Sequence, residues 1–408
     1  MTARGLKVAV VGASMSNSPD GRERFTIRAH LPALKALSDL YEPVAVCTTR
    51  MESASATARH FEVPHAFDSV ERMLRELPEI DVVCVGVRPV VHHQVVMAAL
   101  NAGKHVYCEQ PFGVTTAQAE EMSRLARKKN LRTVVGHQGH YEPAVLQMTD
   151  MVRKGYIGKP LAFNITFFHA GYIAPRPAHR QWLFQSEMGG HPAYRSGHDL
   201  ERVTSVLGMD VTEICADLAI LVPECANLEG GPPLRSNQVD NMNFLLRVGG
   251  GVMGTSTGCH TAWFGTGGRF EVYGTEGMLM LGQKDTGEKN TVKGDPNHGE
   301  LKLYGNRVDM QQLMANPTAP ELLQRQFREI PPADRHCYAH GIDKGRATFA
   351  VAQMWHAFAH AINNGTECAP SFHDKLKIHY VWDATEKSMR ERRWIKVDYG
   401  ESTYVAGQ

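Results

Sequence analysis

Three short stretches carry side chains whose types and spacing could do chemistry. In LKVAVVGAS an apolar run is followed by Gly12, Ala13, Ser14 and Ser16. Glycines after a first strand let the backbone approach a pyrophosphate at a helix N-terminus. Only Gly12 keeps its place in a G-x-G-x-x-G pattern, but small residues and hydroxyls can still offer amide donors and room. The end of the next apolar run reads Cys47-Thr48-Thr49-Arg50. An acid there would hold a ribose diol, whereas hydroxyls and an arginine suit a 2′-phosphate. No acid is present, so NADP(H) is favoured, with NAD(H) as the alternative and Arg50 as a solvent-facing helix start as the bland one. In GKHVYCEQPFG a buried strand brings Glu109, Gln110 and Pro111 to the end of a sheet.

Other polar clusters have two readings each. Arg176, His179, Arg180 and Trp182 in APRPAHRQW, with His191 and Arg195 in HPAYRSGH, suit hydroxyl recognition, stacking or carboxylate binding. They equally suit an ordinary charged loop. His137 and His140 in GHQGHYEP are pocket donors or interface residues. His356 and His360 have the i, i+4 spacing of metal ligands but no third ligand nearby. A polar helix edge is the simpler reading, and no metal site is expected.

The elements that must position these residues follow from periodicity. The first third alternates short Val/Ile/Cys-rich runs with helical patterns, as in a parallel sheet covered on both faces. Beyond about residue 140 strands dominate, and the alternation in RFEVYG and NFLLRV predicts an antiparallel sheet with one covered face. The expected fold is an α/β Rossmann domain, doubly wound, over residues 1–140, then an α+β domain over 141–408 built on a large, mostly antiparallel, open-faced sheet. Two long helical patterns near the C-terminus belong to the second domain and are placed to pack back on the first. The stretch 285–334, rich in Gly, Pro, Asn and Gln, reads as an insertion carrying loops.

Bulk properties narrow the function classes. A net charge of +1 with no run of one sign argues against nucleic acid or an anionic membrane surface. None of the 8 cysteines forms a C-x-x-C pair, and several sit in apolar runs, so buried thiols in a reducing cytoplasm are expected. No apolar run approaches the roughly 20 residues of a membrane span.

At Ala102-Gly103-Lys104-His105-Val106, Glu109 and Pro111 the chain resembles the Gfo/Idh/MocA oxidoreductases, whose pattern is A-G-K-H-V-x-x-E-K-P. Pro89 and His93 resemble that family's T-P-x-x-x-H loop, with Arg88 in place of Thr, and Glu142-Pro143 falls where the family has Asp-Pro. The similarity runs through VDNMNFLLRVGGGVMG and EVYGTEGMLML, nearly the whole chain. An inserted first turn, HQG and GYIG resemble the branch containing the fungal galactose-regulon repressor.

The resemblance implies a cofactor site that includes Arg88, Pro89, His93, Glu109 and Gln110. It also implies a catalytic pair, a lysine after the glutamate and a histidine in a D-x-G-x-H segment. His198 keeps the histidine, while Gln110, Tyr194 and Ser196 replace the lysine, aspartate and glycine, and Glu201 takes the place of a further aspartate. Histidine can take a hydroxyl proton without tuning; a neutral glutamine can orient but adds no positive field. Tyr194 would assist proton transfer or form a wall.

The leading expectation is hydride transfer between NAD(P) and a secondary alcohol or hemiacetal of a sugar, cyclitol or cyclic diol. The alternatives are a dinucleotide-sensing regulator without turnover and a bound-cofactor enzyme with no net redox, such as glycoside cleavage through a keto sugar. A homodimer or homotetramer is expected by family analogy.

Overall fold

The computed structural model describes residues 5–15, 24–189, 196–283, 301–318, 328–344 and 347–400. Strands β1 (Leu6–Val11), β2 (Tyr41–Cys47), β3 (His65–Phe67), β4 (Val82–Val85), β5 (His105–Glu109) and β6 (Thr133–Gly136) form one sheet in the order 3-2-1-4-5-6. All its pairs are parallel. VVCV of β4 is buried throughout, as a strand covered on both faces must be. Helices α1 (Leu31–Ala36), α2 (Met51–Phe61), α3 (Val70–Glu76), α4 (Pro89–Asn101) and α5 (Thr116–Lys128) make the crossovers. Thr115 caps α5, its hydroxyl accepting from the Gln118 N–H. A π-helical turn, Thr26–His30, leads into α1. The short β3 and α3 carry too little periodicity to stand out in the sequence.

Helix α6 (Pro143–Arg153) leads out of this unit and ends near Gly155 and Gly158, whose φ values of 73° and 69° need glycine. The second sheet has nine strands, ordered β16-β15-β14-β13-β7-β12-β11-β8-β17. They are β7 (Pro160–Phe168), β8 (Val211–Ala219), β11 (Asn241–Val248), β12 (Val252–Cys259), β13 (Gly267–Gly274), β14 (Gly277–Gln283), β15 (Leu301–Arg307), β16 (Arg328–Glu329) and β17 (Ile395–Lys396). A separate ribbon joins β9 (Glu224–Cys225) to β10 (Leu234–Arg235). Only β7 and β12 pair parallel. Met242, Phe244, Leu246 and Val248 of β11 face the core, while Asn243, Leu245 and Arg247 are exposed. The sheet therefore has one covered face. The loop reading of 285–334 needs correcting for the described part. Leu301–Arg307 is a regular strand paired along β14, its apolar residues too sparse to signal it in the sequence.

Helices α7 (Ser186–Gly189), α8 (Gly197–Leu207) and α9 (Met310–Ala315) precede the two long C-terminal helices, α10 (Ala347–Asn364) and α11 (Phe372–Glu391). Both long helices pack back on the first unit. Trp355 of α10 stacks on Tyr107, with centroids 4.6 Å apart, and its indole N–H donates to His30 Nδ1 at 3.1 Å. Helix α11 opens with a capping box, Ser371 and Asp374. Its Phe372 stacks on Phe112 at 4.7 Å, and Trp382, further along, enters the core of the second unit. One helix thus spans both cores, with Lys375 between them. Among the described residues no helix is long and apolar enough to cross a membrane.

Candidate active site

The cofactor side begins at the end of β1. Gly12 has φ 92°, and a Cβ there would lie 2.6 Å from the Gly86 carbonyl oxygen. The two turns after β1 and β4 touch backbone to backbone, so position 12 accepts only glycine. Ala13 is buried, Ser14 lies at the surface of the turn, and Ser16 falls outside the described residues. At the end of β2 the Thr48 hydroxyl is turned inward, donating to the Arg50 carbonyl at 2.8 Å. Thr49 and Arg50 are exposed, and no carboxylate stands among them. Arg88 is the exposed N-cap of α4 and Pro89 its buried first residue. His93 turns to the surface, its Nε2 2.8 Å from Glu121 Oε2. Its neighbour His92 holds the loops together instead, between the carbonyl oxygens of Pro111 (2.8 Å) and Val87 (3.1 Å). His93 is the histidine the family resemblance implies for the cofactor site, and His92 is the one held between backbone carbonyls.

Glu109 ends β5 over Gly136, where any Cβ would collide with its carboxylate. Its Oε1 accepts from His30 Nε2 at 3.0 Å and from Gln138 Nε2 at 3.1 Å. His30 Nδ1 meets the Trp355 indole N–H, so Nε2 is the ring nitrogen that donates to Glu109. The next side chain, Gln110, is different. Its amide nitrogen and oxygen are both buried and have no hydrogen-bond partner among the described residues. The amide packs on Gly197, where an added Cβ would collide with Nε2 and lie 2.7 Å from Trp382. A buried amide left open at a strand end calls for a ligand, because an unsatisfied pair costs about 1–3 kcal/mol per group.

Gly197 starts α8, and His198 follows it. The His198 ring lies 4.5 Å from that of His137, which is 1% exposed at the end of β6. His137 Nε2 approaches Glu201 Oε2 at 2.7 Å, off the line of a straight hydrogen bond, and His140 Nδ1 reaches Oε1 at 2.6 Å. Despite its burial, the two imidazoles keep the Glu201 carboxylate well below the usual range. Burial first, offset in part by Glu201, pulls His137 down to about 4. Burial also holds His198 well below the ordinary histidine value, with His137, Lys375 and Arg202 adding to the effect. The N-terminus of α8 acts in the same direction, since a cation is disfavoured there. His198 is therefore neutral near neutral pH and free to accept a proton.

Asp199, next to it, is pushed up to about 6 by burial, with Arg202 pulling only partly back. A carboxyl with a raised folded-state pKa destabilises the protein as pH rises from about 4 through about 6. Asp199→Asn is expected to raise stability by about 1–3 kcal/mol at neutral pH and to leave it unchanged below pH about 4. Urea unfolding at the two pH values checks this.

Arg176, Arg180 and Trp182 are half-buried in the segment between β7 and α8. They border a satellite cluster of Tyr172, Phe184, Cys225 and Leu234, and the Arg176 guanidinium lies 5.8 Å over the Phe184 ring. The end of this segment, α7, packs on α4 of the dinucleotide unit. The His179 side chain and residues His191, Tyr194 and Arg195 lie outside the described residues. The structure thus brings together Gln110, His137 and His198, with Glu201 behind them. Sequence reasoning missed Lys375, whose Nζ donates to the Gly197 carbonyl at 3.3 Å. One signal was available: Phe372, Lys375, Leu376, His379 and Trp382 share a helical stripe, and a lysine on a buried stripe is out of place.

Comparison with known proteins fits this architecture. Residues 6–137 match the oxidoreductase family with an NAD-binding Rossmann fold, and residues 145–280 match the Gfo/Idh/MocA C-terminal domain. Levoglucosan dehydrogenase of Pseudarthrobacter phenanthrenivorans is 24% identical over 91% of this chain and 96% of that protein. The 1,5-anhydro-D-fructose reductase of Ensifer adhaerens is 31% identical over 59% of this chain and 68% of its own. Among solved structures, levoglucosan dehydrogenase with NADH and levoglucosan has a TM-score of 0.79, at 22% identity over 97% of this chain and all of that one (100% coverage). A super-repressor mutant of Gal80p from Saccharomyces cerevisiae has a TM-score of 0.77, at 18% identity over 98% of this chain and 100% of that one. With both halves matched, the chain belongs to the Gfo/Idh/MocA oxidoreductase family.

Proposed function

We propose that the protein is an NAD(P)-dependent dehydrogenase or reductase that moves hydride to or from a secondary alcohol or hemiacetal carbon of a sugar, cyclitol or related cyclic diol. The carrying observation is the open Gln110 amide packed on Gly197, the residue before a neutral His198. The bound dinucleotide supplies the hydride acceptor or donor. Gln110 offers one donor and one acceptor to hold a hydroxyl, and His198 takes that hydroxyl's proton as the carbon gives up hydride. In the reverse direction His198 returns the proton to the nascent alkoxide. The names of the relatives, levoglucosan dehydrogenase, 1,5-anhydro-D-fructose reductase and myo-inositol 2-dehydrogenase, support this substrate class. The exposed Leu161, Leu245 and Met253 on the second unit support a homodimer or homotetramer. Free thiols at Cys47, Cys84, Cys108, Cys225 and Cys368 support a reducing, cytoplasmic setting.

NADP(H) is the favoured form. Arg50 is exposed at the end of β2 with no acid beside it, which suits a 2′-phosphate. Arg50→Ala is expected to weaken NADPH by about ten-fold or more and NADH little, since one charge-assisted hydrogen bond is worth about 1.5–3 kcal/mol. Calorimetric titration with both reduced cofactors reads the difference.

The proposal is tested by following nicotinamide absorbance with levoglucosan, myo-inositol and 1,5-anhydro-D-fructose, each with all four cofactors. Turnover of any of them supports the oxidoreductase reading. Gln110 in the strand-end lysine's place favours a dinucleotide-sensing regulator, and tight cofactor binding without turnover would shift the reading there. Release of an aglycone without net cofactor change would point to the non-redox enzyme.

A further inference from the structure

Lys375 is an unexplained cation. Its side chain is 2% exposed on the inner stripe of α11. Nζ donates to the Gly197 carbonyl at 3.3 Å and faces His137 Nδ1 at 3.5 Å. Among the described residues no carboxylate lies within ion-pair distance of it. Burying an ammonium costs several kcal/mol unless a close anion offsets it. A structural lysine here would be matched by such an anion; this one is matched only by a carbonyl and an imidazole. Both lead to the reaction pocket. Gly197 also packs on the Gln110 amide and precedes His198, and the ring of His137 lies against that of His198.

We propose that Lys375 supplies the positive charge of the reaction pocket, as a positioning residue acting through Gln110, Gly197 and His198. The inference deepens the oxidoreductase reading and rests on it. When the hydroxyl proton passes to His198 and the carbon yields hydride, negative charge builds on the substrate oxygen. A fixed ammonium at the Gly197 carbonyl stabilises that charge, while it also holds the His198 pKa down. Gln110, being neutral, adds no such field.

The charged groups around this pair come from three elements. Glu201, Asp199 and Arg202 lie on the helix of His198, His137 and His140 on the segment after β6, and Lys375 with Asp374 on α11. Burial pulls Lys375 down to about 8, with Glu201 and Asp374 resisting. Its charge is therefore present at neutral pH and lost as pH rises through about 8.

The test is a double-mutant cycle between Lys375→Met and Gln110→Lys, in the full chain, on the substrate turned over best in the panel above. Lys375→Met is expected to lower kcat/KM by about 10²-fold, chiefly in kcat, within the range of removing one electrostatic stabiliser. It should also remove the fall in rate above pH about 8 and move the acidic limb upward, toward the ordinary histidine value. Gln110→Lys in the Lys375→Met background should recover at least about ten-fold, because a charge returns to the same pocket. A double variant no better than Lys375→Met, with the pH profile unchanged, would overturn the proposal. Cofactor binding separates this from failure of the functional reading. The oxidised nicotinamide is cationic and the reduced one neutral, so Lys375→Met should lower the ratio of oxidised to reduced Kd by about five- to ten-fold, and Gln110→Lys should restore it. If the wild type oxidises no polyol but this ratio moves, the oxidoreductase reading fails and the charge assignment stands. An unmoved ratio sinks the assignment.

Discussion

His198→Ala lowers kcat/KM by about 10²–10⁴-fold, the usual worth of a positioned acid–base group, and leaves the dinucleotide Kd unchanged. Two features of the site lead to this. Neutral at working pH, the imidazole is ready to accept a proton without first losing one. It also sits at the start of α8, after the Gly197 on which the open Gln110 amide packs, whereas the turns that would hold the dinucleotide follow β1 and β2. The loss should therefore fall on kcat, and added imidazole should return part of the rate by occupying the vacated space. The wild-type rate should stay level well below the ordinary histidine pKa, because the cations and burial around His198 push its protonation to low pH. A variant that lost cofactor binding in parallel with rate would assign His198 to the scaffold instead.

Glu201→Ala has the largest expected effect on stability, a loss of about 3–5 kcal/mol, as for other buried charge pairs broken from one side. The carboxylate is 5% exposed and accepts from His140 at 2.6 Å while His137 lies 2.7 Å away. It is also the stronger of the two anions holding up the Lys375 charge, ahead of Asp374. Removing it leaves the buried His137, the half-buried His140 and the buried Lys375 without the carboxylate closest to the two imidazoles. Glu201→Gln keeps the shape and one acceptor, so it should cost less than Glu201→Ala in folding. It should still pull Lys375 further down and so shift the alkaline limb of the rate to lower pH. Denaturant unfolding and the pH–rate profile read these separately. A Glu201→Ala protein within about 1 kcal/mol of wild type would mean that the cluster opens to water and that the burial argument is wrong.

Much of the fold could be read from pattern because burial leaves a plain mark. VVCV, HVYC and TVVG are continuous apolar runs, and only a strand covered on both faces wants that. The alternation in NFLLRV marked the one-faced second sheet equally well. Strand β15 escaped because LKLYGNR, next to the short edge strand β16, carries few apolar residues and is paired along its length by β14. The site was legible only where chain neighbours share it. Gln110 and His198 stood out through their local segments, but their meeting depends on Gly197 being small enough for the amide to pack on it, a tertiary fact. His92 and His93 differ by one position, and nothing local to the sequence shows that it is His92 that two backbone carbonyls hold. Lys375 lies far along the chain from Gln110 and His137, so nothing local tied it to them. Its place on an apolar helical stripe was the only trace.

The central claim is tested most directly by measuring hydride transfer with wild type and His198→Ala side by side, at equal cofactor saturation, on levoglucosan, myo-inositol and 1,5-anhydro-D-fructose. The account predicts that the wild type turns over at least one of them, and that the variant binds cofactor equally but reacts at least about 10²-fold more slowly. Equal rates in the two proteins, or tight cofactor binding by a wild type that turns over none of the three, would contradict it.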